Sequence, residues 1–264
     1  MNILPENKQE KKRIEFLDEL RGFAILAMIV HHFFLDAGDV LSADWGYAVF
    51  EKLCTLQPFF WAIFIVISGI CSRLSRNTVK RGITVLAAGL LVTIVTAVIM
   101  PKIGMPGAEI YFGILSCLGC CMIITGLLIP LIEKTNPIAG LIITGVLFAA
   151  TYSISDGSLC FGLIDLPQAL YQTNYLMPLG FFNSDFFSAD YFAVFPWLFM
   201  FMFGAFIGGY AKAGAFPQWS YKRRSKVLSF VGRNSLWFYL AHQVVIYALL
   251  YLFFWITVLA EKIF

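Results

Sequence analysis

The sequence predicts an all-α fold: a polytopic membrane helix bundle with about seven transmembrane helices and a cytoplasmic N-terminus. Three observations lead there. Of 264 residues, 59% are hydrophobic and only 13% charged, whereas a soluble domain carries about 25% charged residues. Hydrophobic runs recur at about 17–36, 48–72, 80–101, 109–131, 137–154, 190–210 and 230–258, each reaching or approaching the roughly 20 residues that cross a bilayer core. With the N-terminus inside, seven crossings place every Lys and Arg on the cytoplasmic side except Lys52, Lys102 and Lys262, which is the positive-inside distribution.

Taken in order, residues 1–16 form a cytoplasmic basic tail with Lys8, Lys11, Lys12 and Arg13. Residues 17–264 form a single transmembrane domain. The first run follows charged residues and lacks a small-residue cleavage site, so it reads as a retained signal anchor. The fifth run, 137–154, is the shortest. Segment 155–190 has no Lys or Arg but contains Asp156, Asp165, Asp185 and Asp190, which makes 155–189 an extracytoplasmic loop. Within it, Phe161 to Leu179 has room for a short re-entrant or interfacial helix. Its aromatic residues, among them Tyr171, Tyr175, Phe186 and Phe187, are membrane anchors first and sugar-stacking candidates second. In the sixth run Gly204 and Gly208 stand four apart, a spacing that lets two helices approach closely. Cys117, Cys120 and Cys121 lie on an apolar helix without polar neighbours and read as small-residue packing, not as a metal set. The six cysteines imply no disulfide framework.

Ionisable groups inside a bilayer are costly and mark functional paths. Arg21 and His32 lie eleven residues apart, close to three helical turns, so they share a face about 16 Å apart along the axis. Asp18 and Asp36 fall near the same stripe, while His31 points about 100° away. The chain's three histidines, His31, His32 and His242, all lie in hydrophobic runs. Histidine is the side chain best suited to passing a proton near neutral pH. His32 and His242 are therefore candidate bases; the alternative is a histidine bridging two helices. Arg21 suits a phosphate or amide by charge-assisted hydrogen bonds, or pairs with Asp18 one turn away. Arg73, Arg76 and Arg233 either complete a basic mouth for a nucleotide or only obey the positive-inside rule. Asp190 opens the sixth run and either orients an acceptor group or caps the helix.

Four stretches carry a family resemblance. They are Leu17-Asp-Glu-Leu-Arg-Gly-Phe-Ala24 followed by His32, Tyr111-Phe-Gly-Ile-Leu115, Phe187-Ser-Ala-Asp-Tyr-Phe-Ala-Val-Phe-Pro-Trp197, and Gly232-Arg-Asn-Ser-Leu-Trp-Phe-Tyr-Leu-Ala-His-Gln243. Together they resemble the transmembrane acyltransferase superfamily, and within it the bacterial branch of the heparan-α-glucosaminide N-acetyltransferase catalytic-domain family. His32 is similar to the motif histidine of the wider O-acyltransferase branch. The resemblance implies an integral membrane acyltransferase, an acetyltransferase in the first instance, with acetyl-CoA or another acyl-CoA as donor and no metal. It implies catalytic roles for His32, Arg21, Asp18, His242 and Asp190, and donor binding by Arg21, Arg73, Arg76 and Arg233. The acceptor would be an extracytoplasmic or membrane-bound sugar, glycolipid or glycan. Membrane lipid is the other expected partner, a homodimer is compatible, and the bacterial cytoplasmic membrane is the expected location. Nucleic acid is not expected, because the basic residues hug the membrane. The competing class is a non-enzymatic transporter or a lipid- or glycan-binding membrane protein, which also needs polar groups inside a bundle.

Overall fold

A computed structural model describes residues 13–102 and 107–263. The expected basic tail lies largely outside them; of it, only residues 13–16 are described. Among the described residues six helices are long and apolar enough to cross a membrane, and a bent pair supplies a seventh. The chain is thus an all-α, multi-pass membrane protein. The helices are α1 Glu15–Leu41, α2 Asp44–Cys54, α3 Gln57–Ser72, α4 Thr78–Lys102, α5 Ile114–Lys134, α6 Pro137–Thr151, α7 Val194–Lys212, α8 Lys226–Arg233 and α9 Ser235–Ile263. The second hydrophobic run is not one straight rod. It breaks between α2 and α3 with a bend of 56°. The last turns of α4 pass through a π-helical stretch, Val95–Ile99.

Contacts divide the chain into two compact units. The first, made of the described residues up to 64 and from 216 on, holds α1, α2, the start of α3, α8 and α9. Here α1 packs on α2, α8 and α9. Its crossing with α8 is made backbone to backbone: a Cβ on Gly22 would stand 2.1 Å from the Leu228 carbonyl oxygen, and one on Gly232 would stand 1.8 Å from that of Asp18. Leu-Asp-Glu-Leu-Arg-Gly and Gly-Arg-Asn-Ser, from opposite ends of the chain, are therefore two sides of one contact. Gly38 and Gly46 repeat the device between α1 and α2, against Tyr47 and the Phe34 carbonyl.

The second unit, residues 65–215, holds the rest of α3 with α4, α5, α6 and α7. Gly204 and Gly208 do bring two helices together. A Cβ at Gly204 would meet the Val66 carbonyl at 2.2 Å, and one at Gly208 the Ile70 carbonyl at 2.7 Å, both on α3. Gly82, Gly89, Gly119 and Gly126 close α4 onto α5 in the same way. Without a hydrophobic drive between helices in lipid, such close backbone approach supplies van der Waals contact. The expected extracytoplasmic segment contains a two-stranded hairpin, Ser158–Leu159 with Ile164–Asp165, and 3-10 turns at Gln168–Tyr171 and Met177–Leu179. No re-entrant helix forms there. The loop is pinned instead by the Tyr171 hydroxyl donating to the Ile154 carbonyl and the Tyr191 hydroxyl to that of Met177 at 2.6 Å. Burial raises both phenols above their ordinary range, so these donors stay protonated.

Candidate functional site

Three polar constellations are built from the residues that the sequence singled out. The first surrounds the start of α1. Glu15 accepts from Arg223 at 3.1 and 3.3 Å, from Arg233 at 2.5 Å and from the Ser229 hydroxyl at 3.2 Å. The pairing holds Arg223 more firmly protonated than usual. Glu19 accepts from the backbone N–H groups of Arg224 and Ser225 at 2.6 and 2.8 Å, tying down the entry to α8. Asp18 gathers Arg13, Arg233 and Arg21 at 2.5, 3.5 and 3.8 Å. Arg21 does not snorkel to water: it is buried, donates to the Gly232 carbonyl at 3.5 Å, and keeps Nη2 buried without a partner. The carboxylates at the beginning of α1 thus hold both ends of α8: Arg223 and the backbone of Arg224 and Ser225 before it, and Arg233 in its last turn. Sequence reading gave roles to Asp18, Arg21 and Arg233 but missed Glu15 and Glu19. Their signal was the i, i+4 spacing of two acids facing a basic segment.

The second constellation lies further along α1. His32 faces His242 of α9, with ring centroids 5.1 Å apart. His242 Nδ1 lies 2.5 Å from the Tyr239 carbonyl. A carbonyl only accepts, so Nδ1 carries the hydrogen and Nε2 is left as a lone pair when the ring is neutral. His32 makes no hydrogen bond among the described residues and is half-buried. One turn on, Asp36 is buried and accepts from Gln243 Nε2 at 3.0 and 2.9 Å. His31 turns away, as its 100° offset requires. Its Nε2 lies 3.6 Å from Cys54 Sγ and its ring packs on Phe50 of α2. Sequence reading paired neither His32 with His242 nor Asp36 with Gln243. The available hints were the i, i+4 step from His32 to Asp36 and the adjacency of His242 and Gln243.

The third belongs to the second unit. Asp190 does not open the sixth membrane helix, which starts at Val194. Its Oδ2 accepts from the Ile114 N–H at 3.1 Å and so caps α5. The reason is tertiary: residues 188–192 run beside 109–114, joined by Ala189 N–H to the Glu109 carbonyl at 2.9 Å and Phe192 N–H to the Phe112 carbonyl at 3.0 Å. Tyr111–Leu115 and Phe187–Trp197 are thereby also two sides of one contact. Beside it opens a cleft of about 500 Å³ lined by Glu109, Tyr111, Asn174, Asp185 and Phe187. At the other end of this unit Arg73 is buried and paired with Glu133 at 2.9 Å, and the exposed Lys212 pairs with the same carboxylate oxygen at 2.9 Å, while Nε of Arg73 has no partner. Arg76 is exposed in the turn before α4. Cys117 and Cys121 are buried one turn apart, Cys117 lying 3.3 Å from the Ala193 carbonyl. Among the described residues no group of three or more His, Cys, Asp or Glu could hold a metal.

Chemically, each imidazole of the facing His32–His242 pair offers a ring nitrogen that can accept a proton. The Asp18 and Arg73 corners are ion-paired frames, each with one guanidinium N–H group to spare. No curated protein and no solved structure matches the chain. The family described as heparan-alpha-glucosaminide N-acetyltransferase, catalytic, matches residues 13–244, a range containing all four signature stretches and both of the contacts they form. The chain belongs to that family of membrane acetyltransferases.

Proposed function

We propose that the protein transfers an acyl group, acetyl in the first instance, from cytoplasmic acyl-CoA to an extracytoplasmic or membrane-bound sugar, glycolipid or glycan. The observation that carries this reading is the facing of His32 and His242 within one unit. The acceptor hydroxyl or amine gives its proton to the imidazole pair as its oxygen or nitrogen attacks the thioester carbonyl. The carbon–sulfur bond breaks, and the coenzyme leaves as a thiolate that is then protonated. A positioned base of this kind contributes about 10²–10⁴-fold. A variant in which His32 briefly carries the acyl group uses the same residues.

At the donor end, the spare Nη2 of Arg21 suits a phosphate or pantetheine amide, with Arg233 holding Asp18 beside it. Arg76, exposed, and Arg73 are further candidates for the nucleotide phosphates. Within the second unit, the aromatic and carboxylate lining of the cleft suits a hydroxyl-rich ring, and Asp190 is a further candidate to orient an acceptor. The purified protein in detergent, given acetyl-CoA and a panel of hydroxyl and amino sugars, should release free thiol in step with acylated sugar. Intact folded protein that neither hydrolyses nor transfers the acetyl group across the panel would remove the enzyme reading.

The orientation, with the N-terminus on the cytoplasmic side of the membrane, rests on the Lys and Arg asymmetry. A variant keeping Cys160 as its one cysteine should react with a membrane-impermeant thiol reagent in spheroplasts. Cys160 is partly exposed at the hairpin turn, with φ at 52°. Labelling seen only after the membrane is broken would invert the topology.

A further inference from the structure

Among the described residues, Asp36 is a buried ionisable group on the His32 face for which the proposed transfer has no use. It is 2% exposed. Its carboxylate is bonded by the neutral amide of Gln243 at 3.0 and 2.9 Å, and the Tyr247 hydroxyl lies beside it. The other titratable groups at this corner are His31, His32 and Asp39 on α1, Tyr239, His242 and Tyr251 on α9, and Tyr47, which donates to Asp39 at 2.7 Å from α2. Among the described residues no Lys or Arg pairs with Asp36. A carboxylate buried without a cation is expensive, and apolar packing would satisfy α1 and α9 equally well.

The positions supply the missing cation. Asp36 is four residues after His32 and therefore stacks over it on one face, with about 5–6 Å between their Cβ atoms. Gln243, its hydrogen-bond donor, is next to His242 in sequence. A proton on the imidazole pair would set a positive charge one helical turn from Asp36. Resting on the proposed use of His32 and His242 as the base, we infer that Asp36, oriented by Gln243, is the counter-charge that stabilises the proton taken up by the pair. It is a positioning residue; it does not touch substrate. In its presence the transition state, in which the acceptor's proton has moved to imidazole, gains an opposite charge that is already in place.

The test is the pH profile of acyl transfer by the full-length protein. Asp36→Asn keeps size and an oxygen for Gln243 but removes the charge. With the imidazolium less favoured, kcat should fall about 10-fold at neutral pH and the acid limb should move to lower pH by about one unit, the scale on which a neighbouring opposite charge acts. The double variant Asp36→Asn, Gln243→Glu restores a carboxylate–amide pair with the charge on α9, and the limb should return toward its original position. It also serves if the single variant fails to fold. A merely structural Asp36 would cost folded protein and leave the limb where it was. An unmoved limb in Asp36→Asn, or a double variant that folds with the limb still displaced, overturns the inference. If His32→Ala and His242→Ala retain full activity, the base assignment itself has failed; if they lose it and the Asp36 variants keep the original limb, only the counter-charge is wrong.

Discussion

Replacing His32 by alanine is expected to lower acyl transfer by about 10²–10⁴-fold, the range for loss of a positioned base, while the yield and melting of the protein change little. His32 is half-buried and makes no hydrogen bond among the described residues, so its truncation leaves no buried partner unsatisfied and the structural penalty is small. His242→Ala should also lose activity, because its Nδ1–H is committed to the Tyr239 carbonyl and its Nε2 is the lone pair left to accept a proton beside His32. Residues that act as a unit are not additive in their effects. The double variant should therefore be little worse than the weaker single variant, far from the product of the two losses. His31→Ala is the internal comparison: its ring belongs to the contact with Cys54 and Phe50, so it should cost stability more than rate. The check is kcat and KM for acetyl-CoA and acceptor in all four proteins, alongside thermal melts in detergent. Wild-type turnover in His32→Ala would take the base away from this site.

The second large effect is on assembly of the first unit. Gly232→Ala places a methyl group where the Asp18 carbonyl oxygen already stands, 1.8 Å from the new Cβ. The obstacle is backbone on α1, which has no rotamer to turn away, so α8 must move. Overpacking of this kind costs about 1–3 kcal/mol and at times more. At the upper figure the melting temperature should fall by about 10 °C, taking each kcal/mol as a few degrees for a chain of this size. The same movement would pull the Gly232 carbonyl from Arg21 and Arg233 from Glu15 and Asp18, so donor affinity should weaken with stability. Gly145→Ala is the control. It lies inside α6 with open space at its Cβ position and should be neutral or slightly stabilising, since alanine is the better helix former. Gly232→Ala melting together with Gly145→Ala would mean that α1 and α8 do not meet as closely as described.

What these variants probe was legible in the chain to different degrees. Composition, run length and the placement of basic residues determined an all-α, multi-pass membrane protein and the approximate bounds of its spans. The physics is local: a bilayer core demands about 20 apolar residues wherever a helix crosses it. The shared face of Arg21 and His32 was equally legible, because helical periodicity alone decides it. Arg21 proved buried beside Asp18 and Gly232 because α8 covers it. That is a fact about a segment about 200 residues away.

Tertiary structure alone decided which signature meets which. Gly22 against Leu228, Gly232 against Asp18, His32 against His242 and Asp36 against Gln243 are long-range pairings, and no period in one chain encodes them. It also reassigned Asp190 from the start of its own helix to the start of α5, because residues 188–192 lie along 109–114 and bring that carboxylate to the free N–H of Ile114. The bend between α2 and α3 was hidden for a related reason: the hydrophobic run continues through it, and hydropathy records burial in lipid but not direction. The sequence therefore determined the kind of molecule and the residues worth watching. Their partnership came from packing, since a side chain's chemistry depends on what the fold sets against it.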